Sequence, residues 1–105
     1  MKNAKQEMVA VYIRNDKDCL QFDALSKYAE ENNLFIRELY AEWGQSGLLV
    51  GESFKDLMSI KRKKFKKILV YGFDRISRKQ DLVIECIETL RKSKVEIISI
   101  LSELV

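Results

Sequence analysis

Three short polar segments carry the side chains best suited to chemistry: Arg14-Asn15-Asp16, Glu42 at the head of a glycine-bearing loop, and Asp74-Arg75-Ile76-Ser77-Arg78. Each follows an apolar stretch that reads as a strand, and in an open parallel sheet reactive groups gather beyond the carboxyl ends of the strands. One molecular edge is therefore expected to hold Arg14, Arg75 and Arg78 beside Asp16, Glu42 and Asp74. Arginine presents a planar fork of donors matched to phosphate oxygens, so several of them converging favour a phosphodiester over a neutral substrate. The competing reading is a surface ion-pair network, Arg75 with Asp74 or Glu42, of the kind that contributes little. The chain has no histidine, which removes Ser-His, Cys-His and histidine-metal mechanisms. No metal and no other cofactor is expected. Cys19 and Cys86 lie far apart and outside metal-ligand spacing, and are read as reduced packing residues; a lone thiol at Cys19 would have only Lys17 nearby to favour its thiolate.

The elements that must position these groups follow from hydrophobic periodicity. Residues 8–13, MVAVYI, form a continuous apolar run rich in β-branched side chains, the pattern of a strand buried on both faces. Phe22, Leu25, Tyr28 and Ala29 fall at helical spacing, with Asn32-Asn33 as the stop. Residues 34–41 alternate as a strand with one face less buried, placed nearer a sheet edge. The stretch 42–51 holds three of the four glycines and no periodicity, and reads as a long loop. Ser53 with Asp56 has the form of a capping box before the short apolar stripe Phe54, Leu57, Met58 and Ile60. A strand over 67–73, a helix over 79–92 and a strand over 95–101 complete the alternation. The expected fold class is α/β, a three-layer α/β/α domain with a central, mainly parallel four-stranded sheet joined by right-handed crossovers.

A length of 105 residues allows one compact domain with a real core and leaves no room for a second. The net charge of +3 is local: residues 61–67, KRKKFKK, hold six of the 19 basic side chains, and the remainder carries 13 basic against 16 acidic. Lys63, Lys64, Lys66 and Lys67 are thus candidate contacts to a polyanion, against the plainer reading of a solvated helix end. The N-terminus is polar and no apolar run is long enough for a signal peptide or membrane span, so a cytoplasmic protein without membrane contact is expected. Trp43 is a base-stacking candidate, against the plainer role of covering a core. Ser77 reads as a cap for the helix that follows.

Tyr12-Ile13-Arg14, Lys27-Tyr28-Ala29-Glu30, Tyr40 with Glu42, Gly44, Ser46 and Gly47, and Asp74-Arg75-Ile76-Ser77-Arg78 together resemble the catalytic domain of the serine recombinases, the resolvase and invertase family. Order and spacing agree over residues 8–102, and the Asp-Arg-x-Ser-Arg segment is the most specific part. The resemblance implies DNA strand exchange, in which a serine attacks a phosphodiester while arginines stabilise the charge developing on phosphorus. Carried over by position, Arg14, Arg75 and Arg78 would bind the scissile phosphate, Asp74 would orient an arginine or a leaving-group proton, and Gln21 would match a glutamine of the first helix. It further implies DNA as partner, a dimer or tetramer of like chains, and, beyond this domain, a dimerising helix and a separate DNA-binding domain that these 105 residues do not include.

The departures from the family pattern are equally specific. Asp16 stands where the nucleophilic serine belongs, no serine or threonine occurs between Arg14 and Ser26, and the loop before Gln21 is about four residues shorter than the family pattern. Glu42 stands where the family usually has aspartate, and the arginine expected after the serine-glycine loop has no counterpart in Leu48 to Glu52. A carboxylate at the attacking position repels phosphate. Strand cleavage by the family route is therefore not expected. The alternative reading is a catalytically silent module that pairs with an active recombinase. A phosphoacceptor receiver using Asp16 or Asp18 fails, since no isolated aspartate ends the third strand.

Overall fold

The computed structural model describes residues 6–44, 49–60 and 64–101. Ser46, Gly47 and Lys63, together with Lys61 and Arg62, lie outside the described residues. Four strands, β1 (Glu7–Arg14), β2 (Leu34–Glu42), β3 (Lys67–Val70) and β4 (Glu96–Ser99), form one sheet in the order β2-β1-β3-β4, every pairing parallel. Helix α1 (Leu20–Glu31) follows β1, α2 (Glu52–Ser59) follows β2, and α3 (Gln80–Lys92) links β3 to β4. This is the expected α/β architecture.

The apolar run of β1 occupies the sheet centre because both of its faces are covered. Val9, Val11 and Ile13 meet Leu25 and Ala29 of α1, while Ala10 and Tyr12 face Phe54 and Leu57 of α2 and the β3 side chains Ile68 and Val70. Val83, Cys86 and Leu90 of α3 complete the second core. Buried on two faces, such a strand reads as continuous rather than alternating. β2 lies at the edge as its alternation predicts, with Phe35 and Leu39 about half exposed. The pairing of β1 with β2 shifts register between Val9 and Ala10, leaving Arg37 as the extra residue of a bulge. Two asparagines take left-handed backbone at φ 53° (Asn15) and 57° (Asn33), a conformation asparagine tolerates. They turn the chain out of β1 and into β2.

Several local expectations are corrected. β3 ends at Val70, and Phe73–Arg75 form one 3-10 turn, so the Asp-Arg segment sits on a tight turn rather than at a strand tip. Ser53 does not cap α2: Gly51 is the cap position, and the Ser53 hydroxyl donates instead to the Ala41 carbonyl at 2.8 Å. Cys86 packs in the core, but Cys19 is exposed in a left-handed turn before α1 and packs against nothing of the core. Trp43 is 55% exposed and covers no core.

The buried phenol and thiol give the fold an alkaline limit. Burial, followed by the neighbouring Glu42 charge, pushes the Tyr12 phenol well above its ordinary range, burial pushes Cys86 to about 11, and burial with the bond to Glu38 pushes Tyr40 to about 12. For each, the unfolded chain loses its proton at lower pH than the folded one, so stability is intact below about pH 8 and falls as pH rises from there to about 12. Urea midpoints measured across pH 8–11 should fall steadily, and Tyr40→Phe should reduce the decline above pH 10. A flat profile would contradict this account.

Candidate phosphate site at the carboxyl edge

The sheet brings the strand-tip groups together, and it turns the most buried of them inward. Arg14 closes β1 with its side chain on the α2 face and is only 2% exposed. Its Nη1 donates to the carbonyls of Ile76 at 2.9 Å, Arg75 at 3.3 Å and Leu49 at 3.3 Å. In return, Arg75 Nη1 donates to the Arg14 carbonyl at 3.4 Å. An arginine at the tip of β1 and one on the 3-10 turn after β3 are therefore cross-bonded through each other's backbone. The Gln21 amide locks the same point from α1, accepting from the Arg14 N–H at 3.1 Å and donating to its carbonyl at 2.7 Å.

Two of the carboxylates at this edge are each held by a helix start. Asp16, 7% exposed, accepts from the Gln21 N–H through Oδ1 at 2.8 Å and from the Phe22 N–H through Oδ2 at 2.9 Å. These are first-turn amides of α1, which have no intrahelical partner, and a carboxylate there also meets the positive end of the helix dipole. Glu42, 5% exposed, accepts through Oε1 from the Ser53 N–H of α2 at 2.9 Å and from the Tyr12 hydroxyl at 3.1 Å. The Tyr12 ring meets Phe54 edge-on, centroids 4.9 Å apart. Gly51 lies directly against the Glu42 carboxylate, which a Cβ at that position would overlap.

The exposed groups form the outer surface. Arg75 Nη2 pairs with Asp74 Oδ2 at 3.2 Å, the local ion pair foreseen as the plainer reading, while the side chains remain 32% and 58% exposed. Arg75 and Asp74 line an open cleft of about 340 Å³ with Asn15, Asp16, Lys17 and Tyr71. Arg78 is exposed and lines a neighbouring cleft that shares Asp74. The Ser77 hydroxyl accepts from the Lys79 N–H at 3.0 Å, at the entry to α3. Among the described residues no group of three or more His, Cys, Asp or Glu side chains is placed to hold a metal ion.

The lysines do not join this edge. Lys67 opens β3 and pairs with Glu7, which opens β1, at 2.8 Å; that bond raises the Lys67 pKa. Lys64 and Lys66 immediately precede it, both exposed. They lie at the amino end of the sheet, a strand length from Arg75. Two contributors carry no chemical role in the sequence reading: Tyr12, whose hydroxyl is the one polar group in the run 8–13, and Gly51. The isolated hydroxyl in an apolar run was the available signal for the first; only the fold shows the second.

An all-parallel sheet in the order β2-β1-β3-β4, with arginines and helix-capping carboxylates gathered at its carboxyl edge, defines a resolvase-type α/β domain. The resolvase N-terminal domain model matches residues 9–104, and the chain belongs to that family. Among solved structures it is similar to the N-terminal catalytic domain of TP901-1 integrase, 30% identical with TM-score 0.83, covering 90% of this chain and 78% of that one. It also resembles the first open reading frame of transposon ISC1904 from Sulfolobus solfataricus P2, 25% identical with TM-score 0.66, covering 90% and 68%. The catalytic domain of IS1535 TnpA, an IS607-like serine recombinase, shares the fold at 23% identity and TM-score 0.70, covering 87% and 69%. A comparison with curated protein sequences gives no match. No helix among the described residues is long and apolar enough to cross a membrane.

Proposed function

We propose that residues 1–105 form a serine-recombinase-type domain that binds the DNA backbone at its arginine edge but does not cleave it by the family's route. Arg75 and Arg78 supply the exposed guanidinium groups, and Asp74 orients Arg75. Arg14 adds positive potential from behind while holding the turn that presents them. Glu42 positions α2 beneath the edge. The observation that carries this reading is Asp16: at the position of the nucleophile it bonds α1 amides through both oxygens, so its acceptor capacity is directed into the fold. The family resemblance also supports a cytoplasmic homo-oligomer, dimer or tetramer, whose roles include recombination and DNA integration.

A second reading, a silent partner for an active recombinase, draws on the apolar groups around the same edge. Leu20, Trp43, Leu49 and Leu101 are 69%, 55%, 63% and 59% exposed. Mixed arginine and large apolar side chains are typical of protein contact surfaces.

A nicked suicide duplex separates these possibilities. The expected result is no covalent protein-DNA adduct, and none with Asp16→Ser, because the shortened loop leaves any new hydroxyl at the α1 amides. Measured by fluorescence anisotropy, duplex affinity should fall steeply with salt, and Arg75→Ala/Arg78→Ala should lower the slope of log affinity against log salt by about 2, roughly 0.9 per lost phosphate contact. An adduct at any residue would overturn the loss of cleavage. An unchanged slope would remove the arginine edge as a DNA site and favour the silent partner.

A further inference from the structure

The fold separates the basic side chains into two surfaces. Helix α3 runs back against the strands, so its last turn, with Arg91 and Lys92, arrives at the amino end of the sheet, and the chain passes through Lys94 into β4. The Glu96 N–H donates to the Lys66 carbonyl at 2.9 Å, which sets the approach to β3 beside the approach to β4. Lys64, Lys66, Arg91, Lys92 and Lys94, all exposed, therefore share one end of the molecule. Among the described residues none of the five is held in an ion pair. The carboxylates at that end are Glu7, already bonded to Lys67, Glu88 and Glu96, with Glu30 and Glu31 where α1 leads into β2, so the excess of positive charge is confined to the β3–β4 side. Part of the charge of Arg91 and Lys92 offsets the carbonyl end of α3. Lys64, Lys66 and Lys94 have no such use.

The distance to the arginine edge decides whether these are one field or two. β1 runs from Glu7, bonded to Lys67, to Arg14, bonded to the Arg75 carbonyl. Its eight residues span about 25 Å at roughly 3.3 Å per residue. That is about three Debye lengths at physiological ionic strength, so each surface attracts an anion independently of the other.

We infer that the amino end of the sheet, through Lys64, Lys66 and Lys94 with Arg91 and Lys92, is a second contact surface for the phosphodiester backbone of duplex DNA, so that one domain can hold two duplexes at opposite ends. A polyanion is the favoured occupant because the excess is unpaired, exposed and contributed by two separate elements, as sequence-independent backbone binding requires. The inference extends the DNA reading above but rests on different residues.

The test uses the full chain, Lys64→Glu/Lys66→Glu/Lys94→Glu, Arg75→Ala/Arg78→Ala and the combined variant. The lysine variant is checked for an unchanged thermal midpoint, which substitutions of exposed lysines should leave alone, and the arginine variants are assayed well below their own midpoints, because Arg75 also bonds the Arg14 carbonyl. Two readouts are taken: the salt slope for a fluorescent duplex, and capture of a labelled second duplex on bead-bound duplex carrying the protein. The lysine variant should lower the slope by about 2 to 3 and lose capture by tenfold or more, and its effect should add to that of the arginine variant. A lysine variant equal to wild type in slope and capture would overturn the proposal while leaving the arginine-edge reading intact. Loss of slope in the lysine variant alone would keep the amino end as a DNA contact but overturn the two-duplex arrangement together with the arginine-edge reading. If the lysine variant changes sedimentation mass but not DNA binding, the surface joins copies of the chain, and the proposal fails.

Discussion

Replacing Arg14 by Met should destabilise the fold by about 2–4 kcal/mol, the cost of leaving its carbonyl acceptors without a donor. The guanidinium donates to three carbonyls, from residues 49, 75 and 76, and two of these lie on the turn that carries the Asp-Arg segment. Methionine fills much of the volume but donates nothing, and a buried acceptor left unsatisfied, as at Ile76, costs about 1–3 kcal/mol, with less lost at the part-buried Leu49 and Arg75 carbonyls. Against a total stability of roughly 5–15 kcal/mol for a natural domain, such a loss removes a large share of the margin. Equilibrium urea unfolding measures it directly: the midpoint should fall sharply with little change in slope. Arg14→Lys should recover only a minor share, because a single ammonium cannot reproduce the planar fork. A loss below 1 kcal/mol for Arg14→Met would mean that these carbonyls are satisfied without the guanidinium.

The second large effect belongs to a residue with no side chain. Gly51→Ala places a methyl group on the Glu42 carboxylate, whose Oε1 is held between the Tyr12 hydroxyl and the Ser53 N–H. The carboxylate has to leave, and the expected cost is about 3 kcal/mol, combining overpacking at about 1–3 kcal/mol with weakened charge-assisted bonds. Glu42→Asp shortens the side chain by one methylene and withdraws it from the space above Gly51. The double variant Gly51→Ala/Glu42→Asp should therefore be more stable than the sum of the single changes by at least about 1 kcal/mol, a coupling read from a double-mutant cycle. Strict additivity would show that Gly51 is needed for some reason other than Glu42. The cycle also accounts physically for a glutamate where the family usually has aspartate: the longer acid fits here because position 51 leaves room for it.

The sheet was legible in the sequence because its signals are local. The continuous run at 8–13 identified a strand buried on two faces, the alternation at 34–41 an edge strand, and the helical stripes the two sides of the sheet. The gathering of Arg14, Asp16, Glu42, Asp74 and Arg75 at one edge also followed from topology. The direction in which each side chain points was not legible. Arg14 and Asp16 read as groups facing a substrate, and both are turned into the fold, because the choice between a phosphate and a backbone amide depends on where helix α1 begins. Ser53 read as a cap because its spacing to Asp56 fits the pattern, but Glu42, eleven residues earlier, already supplies the acceptor at that helix start. The lysines of 61–67 read as a local patch of their own; that α3 brings Arg91 and Lys94 beside Lys64 and Lys66 is not visible in a linear sequence.

At the carboxyl edge Arg14, Asp16 and Glu42 are each anchored to main-chain atoms, whereas Asp74, Arg75 and Arg78 reach solvent. Mutation meets these two groups differently. A change among the inner three costs stability and is selected against whether or not the chain still acts on DNA; a change among the outer three is tolerated more readily once that duty lapses. Persistence of the inner residues across descendants would thus record the demands of folding, and only the fate of the outer ones would record use.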